Sequence, residues 1–209
     1  MVKNDLRDVI SGKSKVRNGA AVQAITRFLR GSQVSSEVAK RQKHFKKQET
    51  EVLREFITAN NLWITDVDMA NYISEGAEQK VYLDDGRNVL KLNDGIFYSS
   101  WEDYLNNLLL HNYFFPDTPY ELMGFIQNSE NLYAVVKQPF VKATAKTLVE
   151  TVKEFLVENG FLNTKNNDYY NPQLGIVLED LHDENVLTKE GVLHFIDTVF
   201  YIKDEFYKD

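Results

Sequence analysis

The residues best suited to chemistry lie in the C-terminal part of the sequence, in LEDLHDENVL (178–187) and FID (195–197). Asp180, Asn185 and Asp197 carry oxygen atoms there and stand among apolar residues typical of strands. Carboxylates beside buried strands cost free energy unless a cation lies among them. Because carboxylate and amide oxygens suit a hard cation that keeps its waters and binds phosphates, the pattern predicts a magnesium site.

The turn between the two strands predicts how these side chains meet. Lys189-Glu190-Gly191 is expected to form a three-residue hairpin loop, with its glycine in the left-handed position. With Thr188 then paired to Val192, Asn185 and Asp197 lie at the same open end of one hairpin, about one strand spacing apart. Asp180 lies on the loop that leads into this end of the hairpin and adds a carboxylate to these two side chains.

These residues also stand in a known order. Asp180-Leu181-His182-x-x-Asn185, followed by a strand that ends in Asp197, resembles the catalytic loop and metal-binding aspartate of the protein-kinase-like superfamily. The D-L-H-x-x-N form is most similar to small-molecule kinases of the aminoglycoside-phosphotransferase type. The resemblance implies that Asp180 is the base that orients an acceptor hydroxyl, and that Asn185 and Asp197 hold Mg²⁺ on the phosphates of ATP.

The segment upstream resembles the phosphate-binding half of such kinases. Residues 74–82, SEGAEQKVY, overlay the glycine-rich pattern G-x-G-x-x-G-x-V-Y, in which Gly76 is the one glycine that remains. The strand NVLK resembles the V-A-I-K strand, so its Lys91 is the candidate for binding the α- and β-phosphates. The resemblance thus assigns Gly76 and Lys91 to the nucleotide.

The next helix and hairpin supply the remaining implied contacts. Glu102, near the start of the helix, is the candidate ion-pair partner of Lys91, with Asp103 as the alternative. A glutamate at this position is also commonly a favourable contact with the helix dipole alone. Gln138 and Phe140, in KQPFV, stand where these kinases have the hinge that reads adenine.

A closer resemblance covers the chain from about residue 40 onward. This part is similar to the serine/threonine/tyrosine kinase-like domain found in polyvalent proteins of phages and conjugative elements. It implies a kinase-like fold, ATP and Mg²⁺ as cofactors and a link to mobile DNA, and it names no acceptor. The segments that carry it are EGAEQKVYLDDGRNVLKLND, SWEDYLNNLLLHNYFFPDTPYELMGF, VVKQPFVKA and LEDLHDENVLTKEGVLHFIDTVFYIK.

Hydrophobic periodicity predicts an α+β fold. The order is N-terminal helices, a β-hairpin turning at Asp85-Gly86, a helix near 99–115 capped by Ser99 or Ser100, a second hairpin, an amphipathic helix and a small final hairpin. Residues 163–173 are expected to form a loop. With the resemblance, this order implies a compact protein-kinase-like fold: an antiparallel N-lobe sheet with one helix, a reduced C-lobe and an N-terminal helical extension. The predicted boundaries are 1–62, 63–142 and 143–209.

Cysteine and histidine usage excludes other chemistries. The sequence has no Cys, which removes disulfides, thiolate catalysis and Cys-ligated zinc. Its 4 histidines lack the spacing of a zinc site. His111, in LLLHNYFFP, is expected to be a core or capping histidine.

Charge is divided unevenly along the chain. Residues 1–48 carry twelve Lys and Arg against three Asp and Glu, a net +9, and residues 49–209 carry −16, which gives the total of −7. The basic segment predicts either binding to nucleic acid or an acidic partner, or packing against the acidic remainder of the same chain. No apolar run reaches the roughly 18 residues of a membrane span, so no membrane partner is expected and the predicted location is cytoplasmic.

Departures from the kinase pattern shape the functional prediction. The D-F-G triplet reads Asp197-Thr198-Val199, and Leu178-Glu179 replaces the His-Arg that precedes the catalytic aspartate. Only 12 residues follow Asp197, which favours a small-molecule acceptor over a docked peptide. The predicted function is ATP- and Mg²⁺-dependent transfer of the γ-phosphate to a hydroxyl of an unidentified protein or small molecule. The alternatives are an inactive nucleotide-binding module and a nucleic-acid or partner-binding adaptor on a kinase-like scaffold.

Overall fold

The computed structural model describes residues 2–32, 42–65, 67, 71–75 and 79–208, and it confirms the predicted α+β class. Among these residues, helices precede the first sheet, and one long helix lies between strands of that sheet. The helices are α1 (Val2–Ser11), α2 (Ala20–Ser32), α3 (Gln42–Ala59), α4 (Trp101–Phe114), α5 (Val149–Glu158) and a 3₁₀-helix (Asp204–Tyr207).

The described strands form three antiparallel sheets. A five-stranded sheet has the order β1-β2-β3-β5-β4, a hairpin pairs β9 with β10, and a four-stranded sheet has the order β11-β8-β7-β6. The strands are β1 (Tyr72–Glu75), β2 (Gln79–Leu83), β3 (Asn88–Asn93), β4 (Glu121–Asn128), β5 (Asn131–Pro139), β6 (Leu162–Lys165), β7 (Asp168–Asn171), β8 (Ile176–Glu179), β9 (Val186–Lys189), β10 (Val192–Phe195) and β11 (Val199–Ile202).

The turn between β2 and β3 forms where the sequence predicts it. The Asp85 carboxylate accepts hydrogen bonds from the backbone N–H groups of Arg87 and Asn88, each at 2.9 Å, and Gly86 has φ +74°. An aspartate that bonds its own turn and a glycine in the left-handed region are the usual chemistry of such a reversal. This turn aligns β3, and therefore Lys91, in the middle of the five-stranded sheet.

Residues 163–173 are not a loop, so that prediction is wrong. β6 and β7 pair as a hairpin whose turn places Asn166 at φ +48°. The side chain of Tyr169 on β7 is 1% exposed. β7 also pairs with β8, which in turn pairs with β11 in the four-stranded sheet. The asparagine-rich composition favours turns, and for that reason the sequence predicted a loop. The strand forms nevertheless, because burial of alternate side chains against the core outweighs the local turn preference.

The α4 helix occupies the centre of the fold. Residues 104–112 are all buried, a run longer than two helical turns, so every face of the helix is covered. α4 contacts α1, α2 and α3 on one side and β11 on another. Ser100 is its N-cap, as predicted, since the Ser100 hydroxyl accepts from the Asp103 backbone N–H at 2.9 Å. The helix ends before Pro116.

A buried carboxylate of α3 completes the cap of α4. Glu49 accepts hydrogen bonds from the backbone N–H groups of Trp101 at 2.5 Å and Glu102 at 3.1 Å. The first N–H groups of a helix lack intrahelical partners, so this contact satisfies two of them from another helix. Burial raises the pKa of the Glu49 carboxyl to about 7; the two backbone hydrogen bonds act in the opposite direction.

The N-terminal helices and the C-terminal segment share one apolar core. The cluster runs from Leu6 and Ile25 through Leu109 and Phe125 to Phe206. These five side chains are each 0% exposed, so removing α1 and α2 uncovers apolar surface of α4 as well as of the 3₁₀-helix. The division at 1–62, 63–142 and 143–209 stays a prediction.

Basic residues of the N-terminal segment bind the rest of the same chain. The Lys3 ammonium donates to the Glu205 and Lys208 carbonyls at 2.6 and 2.7 Å, and Arg7 donates to the Phe206 carbonyl at 2.7 Å. Arg17 donates to the Pro116 carbonyl at 2.8 Å. These contacts support packing against the chain's own fold rather than a nucleic-acid interface. Lys40 and Arg41, which belong to the basic segment 1–48, lie outside the described residues.

Membrane insertion finds no support in the helices. From α1 to α5, no helix within the described part of the chain combines the length and the apolar composition that a bilayer crossing requires.

Candidate active site

A cavity of about 330 Å³ brings together most of the predicted site residues. It lies between the strands β1 to β3, the end of β5 and the β9–β10 hairpin. Its lining includes Lys91, Gln138, Phe140, Asn185 and Asp197. The sequence places these residues far apart, so their convergence is a property of the fold. Gly76 lies outside the described residues, but Glu75 and Gln79 on either side of the undescribed segment also line the cavity.

The hairpin places Asn185 beside Asp197 as predicted, but in a different register. Val192 pairs with Lys189, so the predicted pairing with Thr188 is wrong. The turn has two residues, Glu190 and Gly191, with φ of +52° and +80°. Two successive left-handed residues form the tight turn whose twist matches antiparallel strands. The sequence suggested a longer loop because Glu190 is not a residue that usually adopts this conformation.

The two predicted metal ligands remain adjacent in the observed register. The Asn185 carbonyl accepts hydrogen bonds from the backbone N–H groups of Ile196 at 2.9 Å and Asp197 at 3.2 Å. These bonds extend the hairpin by one step beyond β9 and β10. Asn185 and Asp197 therefore lie side by side where the hairpin opens into the cavity.

Asp180 lies next to this pair. The Asn185 side-chain amide donates to the Asp180 carbonyl at 2.8 Å and to the Asp180 carboxylate at 2.9 Å. Asp180 has φ +64°, and its backbone N–H donates to the Asp168 carboxylate at 3.2 Å. A left-handed backbone is uncommon outside glycine, although aspartate adopts it more readily than most residues. It is held here by these contacts, and the side chain stays 62% exposed. Asp180 does not itself line the cavity; its exposed carboxylate lies beside Asn185, which does.

His182 contributes to the same cluster. Its Nε2 lies 3.3 Å from an Asp180 carboxylate oxygen and 3.2 Å from the Asn185 amide nitrogen. The backbone N–H groups of Asn185 and Val186 both donate to the His182 carbonyl, at 3.1 and 3.0 Å. The segment 180–186 is therefore a compact turn that fixes the direction of the Asp180 and Asn185 side chains.

Lys91 is buried on β3, with 4% of its surface exposed. Its ammonium donates to the Ile196 carbonyl at 2.7 Å and lies 4.0 Å from an Asp197 carboxylate oxygen. It also lies 5.4 Å from the centre of the Tyr120 ring. A buried ammonium requires such partners because an isolated charge is costly in the protein interior. The lysine is thus held at the base of the cavity, beside the predicted metal ligands.

Glu102 has a different observed partner from the predicted one. Its carboxylate forms a salt bridge with Arg30 of α2 at 2.5 Å. Asp103, the alternative, lies in the first turn of α4, where its backbone N–H donates to Ser100. Lys91, for its part, lies 4.0 Å from an Asp197 carboxylate oxygen. The observed contacts therefore do not support a Lys91–Glu102 pair.

Gln138 and Phe140 line the cavity in different ways. Gln138 is 1% exposed, and its side-chain amide donates to the Thr118 carbonyl at 2.8 Å, so its side chain is used within the fold. Phe140 follows β5, and its side chain is 44% exposed. Its backbone N–H donates to the Arg87 carbonyl at 2.7 Å. Their assignment to adenine stays a prediction.

His111 confirms the prediction of a core histidine. It is 0% exposed, and its ring nitrogens lie 2.7 Å from the Thr198 hydroxyl and 2.7 Å from the Thr118 carbonyl. Burial, with a smaller contribution from the nearby Lys91 charge, lowers the pKa of this imidazole to about 3, although the hydrogen bond to the Thr118 carbonyl acts in the opposite direction. The ring is therefore neutral at physiological pH. Sequence reasoning did not find that it contacts the residue directly after Asp197.

Gln79 is a site residue that sequence reasoning missed. Its side-chain amide donates a hydrogen bond to an Asp197 carboxylate oxygen. In the motif alignment Gln79 stands at the third glycine position. The substitution of a long polar residue for that glycine was the available signal.

The donor set fits magnesium better than a transition metal. Within the described residues, no group of three or more His, Cys, Asp or Glu side chains is arranged to hold an ion. Two oxygen ligands remain, the Asp197 carboxylate and the Asn185 amide oxygen, whose amide nitrogen is used on Asp180. Mg²⁺ usually takes one or two protein oxygen ligands and completes its octahedron with waters and phosphate oxygens. The residues present therefore fit a phosphate-bound magnesium ion.

Comparison with known protein families gives one match. The family described as serine/threonine/tyrosine kinase found in polyvalent proteins matches residues 46–204. No curated protein and no solved structure matches the chain. The matched region begins within α3, ends in the 3₁₀-helix and contains every candidate site residue, whereas α1 and α2 precede it. Since the match covers most of the sequence, the chain belongs to this family of kinases.

Proposed function

We propose that this domain transfers the γ-phosphate of ATP, bound with Mg²⁺, to a hydroxyl group of an acceptor. The observation that carries the proposal is the convergence of Lys91, Asn185 and Asp197 on one cavity, with Asp180 hydrogen-bonded to Asn185 at its edge. A cation, two oxygen ligands and an exposed carboxylate are the parts that phosphoryl transfer requires.

The buried end of the cavity would bind the phosphates. Lys91 presents a positive charge there, and the Ile196 carbonyl and the Asp197 carboxylate hold it in place. Asn185 and Asp197 would hold Mg²⁺. When bound, this ion neutralises charge on the phosphate oxygens and orients them. Because these groups are fixed before the nucleotide arrives, the proposed catalysis depends on positioning and electrostatic stabilisation.

Asp180 would act on the acceptor. Its carboxylate accepts the proton of the acceptor hydroxyl as that oxygen bonds to the γ-phosphorus, while the bond from phosphorus to the β–γ bridging oxygen breaks and ADP leaves. The Asn185 amide fixes one carboxylate oxygen, and the high exposure of the side chain leaves room for an acceptor. The acceptor is a hydroxyl of a protein or of a small molecule.

Calorimetric titration of ATP with and without Mg²⁺ tests the binding half of this proposal. Wild type is expected to bind ATP more tightly with Mg²⁺, and Asp197→Ala is expected to lose that increment. Asp183→Ala is the matched control, because Asp183 is a carboxylate of the same loop that pairs with Lys146 at 3.6 Å. Absence of Mg²⁺-dependent binding by wild type contradicts the proposal.

Release of labelled phosphate from γ-labelled ATP tests the chemical half. Asp180→Asn is expected to keep ATP affinity and to lower the rate of transfer to water or to added acceptors by about 10²- to 10⁴-fold, the usual range for loss of a general base. Asp183→Asn is expected to retain the wild-type rate. Unchanged turnover in Asp180→Asn would mean that the site binds nucleotide without using this aspartate as a base.

A further inference from the structure

Asp197 lies between two residues that are anchored to other parts of the fold. Before it, the Ile196 carbonyl accepts hydrogen bonds from the Lys91 ammonium at 2.7 Å and the Tyr120 hydroxyl at 3.0 Å. After it, the Thr198 hydroxyl lies 2.7 Å from His111 Nδ1. Thr198 is 2% exposed, so this contact lies inside the protein.

The contacts of His111 define the direction of each hydrogen bond. The Thr118 carbonyl, 2.7 Å from Nε2, has no proton to give, so Nε2 carries the hydrogen and donates. In that tautomer Nδ1 is an acceptor, and the Thr198 hydroxyl donates to it. The Thr118 hydroxyl in turn donates to the Phe195 carbonyl at 2.5 Å. Two hydrogen-bonded connections therefore join this region of the fold to the segment 195–198.

The connection replaces a contact that the sequence led us to expect elsewhere. The predicted link between α4 and the phosphate site was the ion pair of Glu102 with Lys91, but Glu102 contacts Arg30. His111 stands nine positions further along α4, roughly 13 Å away at the helical rise per residue. Its ring lies 4.3 Å from the Tyr120 ring, centre to centre, and Tyr120 in turn bonds Ile196. α4 therefore reaches the site through the side chain of His111.

We propose that His111, acting through the hydroxyl of Thr198, is a positioning residue that fixes the Asp197 carboxylate for Mg²⁺. The inference rests on the proposed function, because it assigns Asp197 to the metal. A ligand that can swing by a few tenths of an ångström binds the ion less tightly, and loss of a hydrogen bond behind a metal ligand typically costs about 10- to 100-fold in metal affinity.

Thr198→Val and Thr198→Ser form the test pair. Valine keeps the shape of threonine and removes the hydroxyl, whereas serine keeps the hydroxyl. Each variant of the full chain is titrated with ATP in the presence and absence of Mg²⁺, and its folding is checked by thermal unfolding. Thr198→Val is expected to lose about 10- to 100-fold of the Mg²⁺-dependent gain in ATP affinity, with Mg²⁺-free affinity unchanged. Thr198→Ser is expected to match wild type.

A second pair of variants decides the matter if Thr198→Val fails to fold. His111→Asn keeps an acceptor near the position of Nδ1, and His111→Gln keeps a donor near the position of Nε2. The positioning role predicts that His111→Asn retains more of the Mg²⁺-dependent affinity than His111→Gln. Equal retention in the two variants overturns it.

The outcomes separate this inference from the proposed function. A folded Thr198→Val protein with the wild-type Mg²⁺ increment overturns the role of His111 and leaves the proposed function intact. Wild type without any Mg²⁺ increment overturns the proposed function, and the positioning role falls with it. Loss of Mg²⁺-free affinity as large as the loss with Mg²⁺ also overturns the role, since it indicates damage to the whole cavity.

Discussion

The two ends of α4 are fixed by opposite chemistry. At the N-terminal end, the carboxylates of Glu49 and Glu102 bond the helix cap and Arg30 of α2. Towards the C-terminal end, the imidazole of His111 joins Thr198 and Thr118 through hydrogen bonds. The first end is tied to the N-terminal helices and the second to the candidate site. Carboxylates that bond backbone N–H groups and a guanidinium therefore fix the first end, whereas hydrogen bonds between uncharged groups connect the second end to the site.

The difference follows from burial and from the partners present. Glu49 lies at the positive end of the helix dipole, which suits a carboxylate even where burial is costly. His111 has 0% exposure and lies near the Lys91 charge, so a neutral ring is the form that costs least there. A carboxylate at position 111 would pair with Lys91 and alter its contact with Ile196. The neutral histidine leaves the lysine directed at the cavity.

The largest expected effect is the difference between a substitution at His111 and one at Glu102, at the two ends of α4. His111→Leu leaves the Thr198 hydroxyl buried without its acceptor, which is expected to cost about 1 to 3 kcal/mol in the free energy of unfolding and most of the Mg²⁺-dependent ATP affinity. Glu102→Gln removes the charge of a partly exposed ion pair and is expected to cost less than about 1 kcal/mol, with ATP affinity unchanged. Denaturant unfolding and calorimetry measure both quantities.

The comparison fails if Glu102→Gln impairs Mg²⁺-dependent ATP binding as strongly as His111→Leu does. That result would restore the ion pair of Glu102 with Lys91 that the sequence first suggested, formed only when nucleotide is bound. Arg30→Gln is the matched control, because it removes the observed partner of Glu102 without touching the carboxylate.

The next largest expected effect is on the pH dependence of stability, to which Glu49 and His111 contribute with opposite sign. The pKa of Glu49 rises from 4.5 to about 7 on folding, so the native state binds more protons between these values and stability falls as pH rises through this window. The pKa of His111 falls from 6.5 to about 3, so the native state binds fewer protons and stability rises as pH rises from about 3 to 6.5. Each group contributes a slope of at most about 1.4 kcal/mol per pH unit, and the two slopes oppose one another where the windows overlap.

Removing one of the two titrating groups is expected to reveal the contribution of the other to the slope of stability against pH. In wild type the two slopes largely cancel between pH 4.5 and 6.5, whereas in Glu49→Gln the His111 slope remains alone, so stability should rise with pH across that range. In His111→Asn the Glu49 slope remains alone, so stability should fall as pH rises from 4.5 to 7. Free energies of unfolding at several pH values give these slopes. Identical profiles in wild type and Glu49→Gln contradict the assigned role of burial at Glu49.

The sequence predicted what depends on neighbouring residues and missed what depends on distant ones. The Asp85-Gly86 turn, the Ser100 cap and the meeting of Asn185 with Asp197 all follow from local chemistry, and the structure shows each of them. The choice of Arg30 as the partner of Glu102 spans 72 residues and depends on how α2 packs against α4. No local pattern encodes such a choice, because either a helix dipole or a lysine also satisfies a glutamate at that position.

The same distinction between local and distant contacts applies to the residues of the candidate site. The order of motifs identified Lys91, Asn185 and Asp197, which share one cavity. The Gln79–Asp197 and His111–Thr198 contacts, which span 118 and 87 residues, required the tertiary structure. Both involve positions where the sequence departs from the kinase pattern, a glycine replaced by Gln79 and an aromatic residue replaced by Thr198. Both departures therefore stand at positions whose side chains contact Asp197 or anchor the residue after it.

The smallest expected effect concerns the hydrogen bond between the Gln79 side chain and the Asp197 carboxylate. Gln79 of β2 donates to an oxygen of the Asp197 carboxylate, so an ion bound by the same carboxylate would compete with this hydrogen bond. Gln79→Ala is expected to tighten Mg²⁺-dependent ATP binding by about two- to tenfold, the range of a hydrogen bond of roughly 0.5 to 1.5 kcal/mol. Gln127→Ala is the control, since Gln127 lies in the same sheet and its amide donates to the Ser129 carbonyl. Weaker binding in Gln79→Ala would contradict this competition and would show instead that the amide supports Asp197 or contacts the nucleotide.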